Sequence, residues 1–208
     1  MSLLRLLLAI LLLAGCHDAP RLAALPAGSQ VLAFGNSITF GSGAGPGEDY
    51  PSRLAASSGW EVHNAGVPGD TAENAGQRIR QVLAETRPVL VIVEIGGNDF
   101  LRRRPEAAVK EDLRALITTI RAAGVQVVLV AVPKLSLIGA VTGKLPDAAI
   151  YAELASEQKL PLVDSVLASI LSDPALKADP IHPNATGYRK LAEGIADSLI
   201  RAGLLNKP

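Results

Sequence analysis

The sequence predicts an α/β domain built on a five-stranded parallel sheet, and three observations carry that prediction. Short apolar runs at 31–34, 60–64, 89–95, 125–132 and 160–163 alternate with helical patterns at 49–57, 71–85, 105–123, 147–157 and 184–202, and strands separated by helices assemble into parallel sheets. The run Val89-Leu90-Val91-Ile92-Val93 has no polar alternation, as a strand buried on both faces requires, and 125–130 comes close to it. Glycines and small polar residues collect directly after the first three runs, where an open parallel sheet opens its ligand crevice.

In chain order, the first residues stand apart from this domain. Arg5 precedes the uninterrupted apolar run 6–13, and Ala14, Gly15 and Cys16 follow, the layout of an export signal. The run is far shorter than the ~20 residues that span a bilayer. Leu13-Ala14-Gly15-Cys16 resembles a bacterial lipobox, in which cleavage leaves the cysteine as a lipidated N-terminus. The expected organisation is a signal peptide over 1–15, lipidation at Cys16, a tether over 16–29 containing Pro20, Pro26 and Gly28, and one domain over 30–208. Secretion with Cys16 incidental is the alternative. His17 after the cysteine implies, by the same resemblance, the periplasmic face of the outer membrane in a Gram-negative cell.

Within the domain, the first strand ends on Gly35-Asn36-Ser37-Ile38-Thr39. The second ends on Asn64-Ala65-Gly66-Val67-Pro68-Gly69-Asp70-Thr71, and the third on Gly96-Gly97-Asn98-Asp99. With strand order 2-1-3-4-5 these loops are neighbours in space. The helical pattern at 105–123 sets Leu113, Leu116, Ile117 and Ile120 on one face, with Lys110, Glu111 and Arg114 on others. Arg102-Arg103-Arg104 between them reads as a solvated basic turn or as a guide for an anionic substrate.

Composition narrows the function. Lys plus Arg number 20 and Asp plus Glu number 20 among 208 residues, so the electrostatic footprint of a nucleic-acid partner is missing. One cysteine excludes an internal disulfide framework and a cysteine-built zinc site, and 3% aromatics leave little for a stacking platform. Gly41-Ser42-Gly43-Ala44-Gly45-Pro46 has proline where a dinucleotide fingerprint needs glycine, and Gly143-Lys144 is followed by Leu145 instead of Ser or Thr. Ser37 has Gly35 before it but Thr39 after it, which fails the α/β-hydrolase elbow.

What remains is Ser37 on a tight turn and Asp179-Pro180-Ile181-His182-Pro183-Asn184 ahead of the last helix. His17 lies in the tether and His63 in the second strand, leaving His182 as the candidate base with Asp179 three residues earlier. A serine hydroxyl is a weak nucleophile until a base takes its proton, and a carboxylate sets the tautomer of that base. Singly, His182 also reads as a capping residue, Asn98 as a turn cap and Gly66 as a left-handed turn position. The joint occurrence of Ser37, Gly66 and Asn98 after three adjacent strands favours chemistry.

These residues resemble the SGNH (GDSL-type) hydrolase family from about Val31 to the carboxyl end. Phe34-Gly35-Asn36-Ser37-Ile38, Asn64-Ala65-Gly66, Gly96-Gly97-Asn98-Asp99 and Asp179-Pro180-Ile181-His182-Pro183-Asn184 match its four blocks in order, and Gly69-Asp70-Thr71 and Val93-Glu94-Ile95 are similar to the arylesterase and acyl-CoA thioesterase branch. Asn36 stands where the family's name has Asp, and Pro180 where Gly is common. The resemblance implies a three-layer α/β/α, flavodoxin-like fold and an esterase working through an acyl-enzyme without metal or cofactor. It assigns Ser37 as nucleophile, His182 as general base and then acid, Asp179 as its orienter, and the Ser37 and Gly66 N–H groups with the Asn98 amide as oxyanion hole. The implied substrate is a small acyl ester, thioester or lysophospholipid. The alternatives are a carbohydrate or peptidoglycan O-acetylesterase and a non-catalytic, ligand-binding envelope lipoprotein. The stretch 134–145, rich in leucine, then reads as an apolar flap over the acyl chain or as core-filling loop.

Overall fold

Gln30–Gly35 (β1), Glu61–Gly66 (β2), Leu90–Glu94 (β3), Gln126–Val130 (β4) and Leu162–Val163 (β5) form one parallel sheet in the order β2-β1-β3-β4-β5. They belong to a computed structural model that describes residues 23–134 and 145–207. The signal peptide, Cys16, the start of the tether and most of the expected flap therefore lie outside the described residues. Every residue of β3 is buried, and β1 and β4 are buried beyond their first residue. Burial on both faces is what turns Leu-Val-Ile-Val into a central parallel strand.

Helices supply that cover. Ala72–Thr86 (α3) packs on Glu106–Ala122 (α5), which packs on Ala149–Gln158 (α6); Tyr50–Ser58 (α2) packs on Ala185–Ala202 (α8), and Val166–Ser172 (α7) joins the same side. The face that α5 buries is Val109, Leu113, Leu116, Ile117 and Ile120, each contributing about 1.5–3 kcal/mol of transfer free energy. Side chains cap the N-termini of three helices. Asp49 accepts from Ser52 N–H, Thr71 from Asn74 N–H and Asn184 from Gly187 N–H, each cap contributing about 1 kcal/mol.

Three short helices escape the sequence patterns: Ser37–Phe40 (α1), Gly97–Leu101 (α4) and α7. One or two turns show too little of a 3.6-residue period to be read from apolar spacing. Both α1 and α4 begin at the carboxyl ends of central strands, β1 and β3, and so turn the crevice loops back over the sheet. Among the described residues no helix is long and apolar enough to cross a membrane.

Candidate active site

Ser37 opens α1 one residue after the Asn36 cap, whose Oδ1 accepts the Ile38 N–H at 2.9 Å. Asp179 and His182 lie on the loop before α8, pinned by the Lys177–Pro183 bridge and by Asn184 Nδ2, which donates to the carbonyls of Ala175 and Lys177. The fold brings the three together. His182 Nε2 is 2.8 Å from Ser37 Oγ, and His182 Nδ1 is 2.7 Å from Asp179 Oδ2. A carboxylate only accepts, so Nδ1 carries the proton and the Nε2 lone pair faces the seryl hydroxyl. Asp179 Oδ1 accepts from the Ile181 and His182 N–H groups at 2.8 and 2.9 Å. Burial pulls the Asp179 carboxyl up, but the His182 hydrogen bond and these two N–H groups outweigh it and hold the carboxyl below its ordinary value.

Asn98, in α4, lines the same narrow cleft as Ser37 and His182, whose apolar walls are Ile38, Leu101, Val132, Leu171 and Ile181. One of its amide hydrogens goes to the Asp70 carbonyl at 2.9 Å, which fixes the side chain and leaves the other for a ligand. Gly66 does not fulfil its expectation. Its N–H donates to Asn64 Oδ1 at 3.0 Å, and a Cβ there would stand 2.1 Å from the Phe40 backbone nitrogen. Glycine is needed at 66 because two backbones touch. Three residues on, Gly69 sits at φ +82 next to Asp70, and the N–H groups of Gly69 and Ser37 donate to no protein acceptor among the described residues. The Gly69-Asp70 turn between proline and a helix cap was the available signal for it.

Two further residues that sequence reasoning passed over hold this site. Arg78 of α3 donates from Nε to Asp70 Oδ2 at 2.8 Å and from Nη2 to the Gly35 carbonyl at 2.9 Å, with its guanidinium 4.0 Å from the centre of the Phe34 ring. It ties the end of β1 to the Gly69-Asp70 turn. Its signal was an arginine on the flank of the stripe Ala72, Ala75, Ile79 and Leu83. Glu94, the last residue of β3, is fully buried; its carboxyl accepts from Asn36 Nδ2 at 3.3 Å and lies 2.9 Å from Thr39 Oγ1. Its signal was the one charge inside the apolar run 89–95.

The basic turn is not simply solvated. Arg102 donates to the Gly69 carbonyl, and Arg104 pairs with the buried Asp99 at 2.6 Å and with Asp112 at 2.8 Å. Asp99 in turn accepts the Ala72 N–H at the start of α3. His63 bonds Gln30 on the edge of the sheet and takes no part in the site. Among the described residues no group of three or more His, Cys, Asp or Glu side chains is arranged to hold a metal ion.

Residues 33–190 match the profile of the GDSL-like Lipase/Acylhydrolase family. The chain is 29% identical over 197 residues to Esterase TesA of Pseudomonas aeruginosa, covering 91% of this chain and 96% of that protein. It is 28% identical over 178 residues to Thioesterase 1/protease 1/lysophospholipase L1 of Escherichia coli, covering 83% of this chain and 84% of that protein. A crystal structure of TesA superposes with a TM-score of 0.72 at 27% identity, covering 83% of this chain and 98% of the other.

Proposed function

Since the chain belongs to the GDSL-like lipase/acylhydrolase family and is a carboxylic ester hydrolase, we propose that it is a serine esterase in which Ser37, His182 and Asp179 form the catalytic triad. The observation that carries this reading is the unbroken pair of hydrogen bonds from Ser37 Oγ through His182 to Asp179, at 2.8 and 2.7 Å.

His182 Nε2 takes the seryl proton as Oγ attacks the acyl carbonyl, and Asp179 stabilises the imidazolium that forms. The tetrahedral oxyanion is held by the Ser37 N–H, the free Asn98 amide hydrogen and the Gly69 N–H, which replaces the Gly66 N–H expected from sequence. Each such donor contributes roughly 10²–10³ in turnover. His182 then protonates the leaving group, and water, activated by the same imidazole, hydrolyses the acyl-enzyme. Apolar cleft walls and relatives named esterase, thioesterase and lysophospholipase support short or medium acyl esters and thioesters as substrates.

The export layout of residues 1–16 supports attachment to a bacterial envelope through a lipidated Cys16, with 16–29 as tether to the hydrolase domain. Loss of the lipid and release of the protein in Cys16→Ala tests that part. The activity is tested by turnover of p-nitrophenyl esters from acetate to palmitate by the protein and its Ser37→Ala variant. Serine-dependent hydrolysis across several chain lengths is expected. Acetate-only turnover would favour an O-acetylesterase, and equal activity in both proteins would reject Ser37 as nucleophile.

A further inference from the structure

Glu94 is a buried acid that acyl transfer does not use. It makes no hydrogen bond to Ser37 or His182 and no ion pair among the described residues. An unpaired carboxyl in such a place is costly unless its oxygens are satisfied. Both are engaged by one short stretch of chain: Oε1 accepts from Asn36, the residue before Ser37, and Oε2 shares a hydrogen bond with the hydroxyl of Thr39, two residues after it. Thr39 Oγ1 is in turn 3.1 Å from the Tyr50 hydroxyl. One carboxyl group thus straddles the nucleophile from below. Gly35 leaves room for it, since a Cβ at 35 would stand 2.2 Å from Thr39 Oγ1 and 2.9 Å from Glu94 Oε2.

We propose that Glu94 is a positioning residue whose carboxyl group holds Asn36 and Thr39, and through them the Ser37 turn, so that the seryl oxygen stays in line with His182. This rests on the reading of Ser37 as nucleophile. The residue at 36 fits the role: an amide can cap Ile38 with its oxygen and donate its nitrogen to Glu94, whereas a carboxylate there would face a second carboxyl. Burial pushes the Glu94 carboxyl up to about 8, so near neutral pH the brace is a neutral acid. The ionisable groups facing it are three tyrosines, Tyr50 from α2, Tyr151 from α6 and Tyr188 from α8, each kept neutral chiefly by its own burial. From α3, Arg78 is engaged by Asp70 and the Gly35 carbonyl. Ionisation of Glu94 removes its proton from the Asn36–Glu94–Thr39–Tyr50 chain and reverses the direction of the Thr39 bond.

The test compares the full chain with Ser37→Ala, Glu94→Gln and Glu94→Ala, each checked for folding by circular dichroism, using kcat, KM and the pH profile of kcat on p-nitrophenyl butyrate. Glutamine offers one acceptor to Asn36 and one donor to Thr39, copying the neutral acid. Expected are an inactive Ser37→Ala and a Glu94→Gln with kcat within about threefold of the parent. Glu94→Ala should lose kcat by ~10²-fold, the effect of misplacing a reacting atom by about 1 Å, with KM little changed. The parent should lose kcat on the alkaline side near pH 8, where Glu94 ionises, and Glu94→Gln should not. Superimposable pH profiles for the parent and Glu94→Gln, a Glu94→Gln as slow as Glu94→Ala, or a folded Glu94→Ala with parental kcat each overturn the proposal. If Glu94→Ala does not fold, the Glu94→Gln profile decides alone. Full activity in Ser37→Ala would instead overturn the nucleophile reading, whatever the Glu94 variants do.

Discussion

Replacing Glu94 by glutamine should change how folding stability depends on pH, by an amount that follows from burial. Burial raises the carboxyl from its ordinary 4.5 to about 8 in the folded protein. Between those values the native state holds a proton that the unfolded chain has released, so stability falls as pH rises through the window. The slope is about 1.4 kcal/mol per pH unit for one such group. From roughly pH 5 to pH 8 the native protein therefore loses about 3–4 kcal/mol through Glu94 alone. Glutamine has no proton to lose. Urea unfolding of the parent and Glu94→Gln over that range should give curves that diverge toward alkaline pH, with the variant increasingly favoured. All other titrating groups are common to both proteins and cancel in the difference. A difference in unfolding free energy that stays constant with pH would refute the reasoning, because it would mean that Glu94 titrates alike in folded and unfolded chains.

Asn98→Ala should lower kcat by roughly 10²–10³ with a smaller change in KM, since the amide acts on the oxyanion and not on the bound ester; stopped-flow and steady-state ester hydrolysis would separate the two. Asp179→Asn should leave the fold intact but lower kcat by up to ~10⁴, because an amide that donates to Nδ1 enforces the wrong imidazole tautomer, and circular dichroism with ester turnover checks both halves. Arg78→Lys should lower kcat about tenfold or more, since an ammonium cannot span both Asp70 and the Gly35 carbonyl as the planar fork does; parental turnover in that variant would show that the strand end and the Gly69-Asp70 turn hold their places unaided.

Much of the architecture was written in local pattern. The unbroken apolar run of β3 and the spacing of Leu113, Leu116, Ile117 and Ile120 in α5 announce elements because each element buries its own face. Ser37 and Asn98 stood out as conspicuous residue types at strand ends, and Asp179 and His182 as an acid and a histidine on one loop before the last helix; the fold draws Ser37, His182 and Asp179 within hydrogen-bond reach. Glu94 and Arg78 did not, because their meaning depends on partners brought near only by the sheet: Asn36 lies 58 residues from Glu94, and Gly35 lies 43 from Arg78. Gly66 and Gly69 illustrate a finer limit. Two glycines three residues apart read alike in sequence, and it is the Asn64 side chain that occupies one N–H and leaves the other available. Likewise Asn36, a departure from the motif by residue type, is matched to a carboxyl that only β3 delivers.

The seryl oxygen and the imidazole that serves it are separated by 145 residues, nearly the whole domain. On the proposed reading the chain therefore holds its nucleophile near the start of the domain and its base near the end. On that reading the Asp179–His182 loop meets α1 only when α8, whose first turn Asn184 caps, has docked, and before then Ser37 has no base within reach. Hydrolytic power is then expected only once the whole domain has folded. The onset of ester cleavage is thus expected to report the closure of the entire domain, and a chain cut short before its last helix to be inactive.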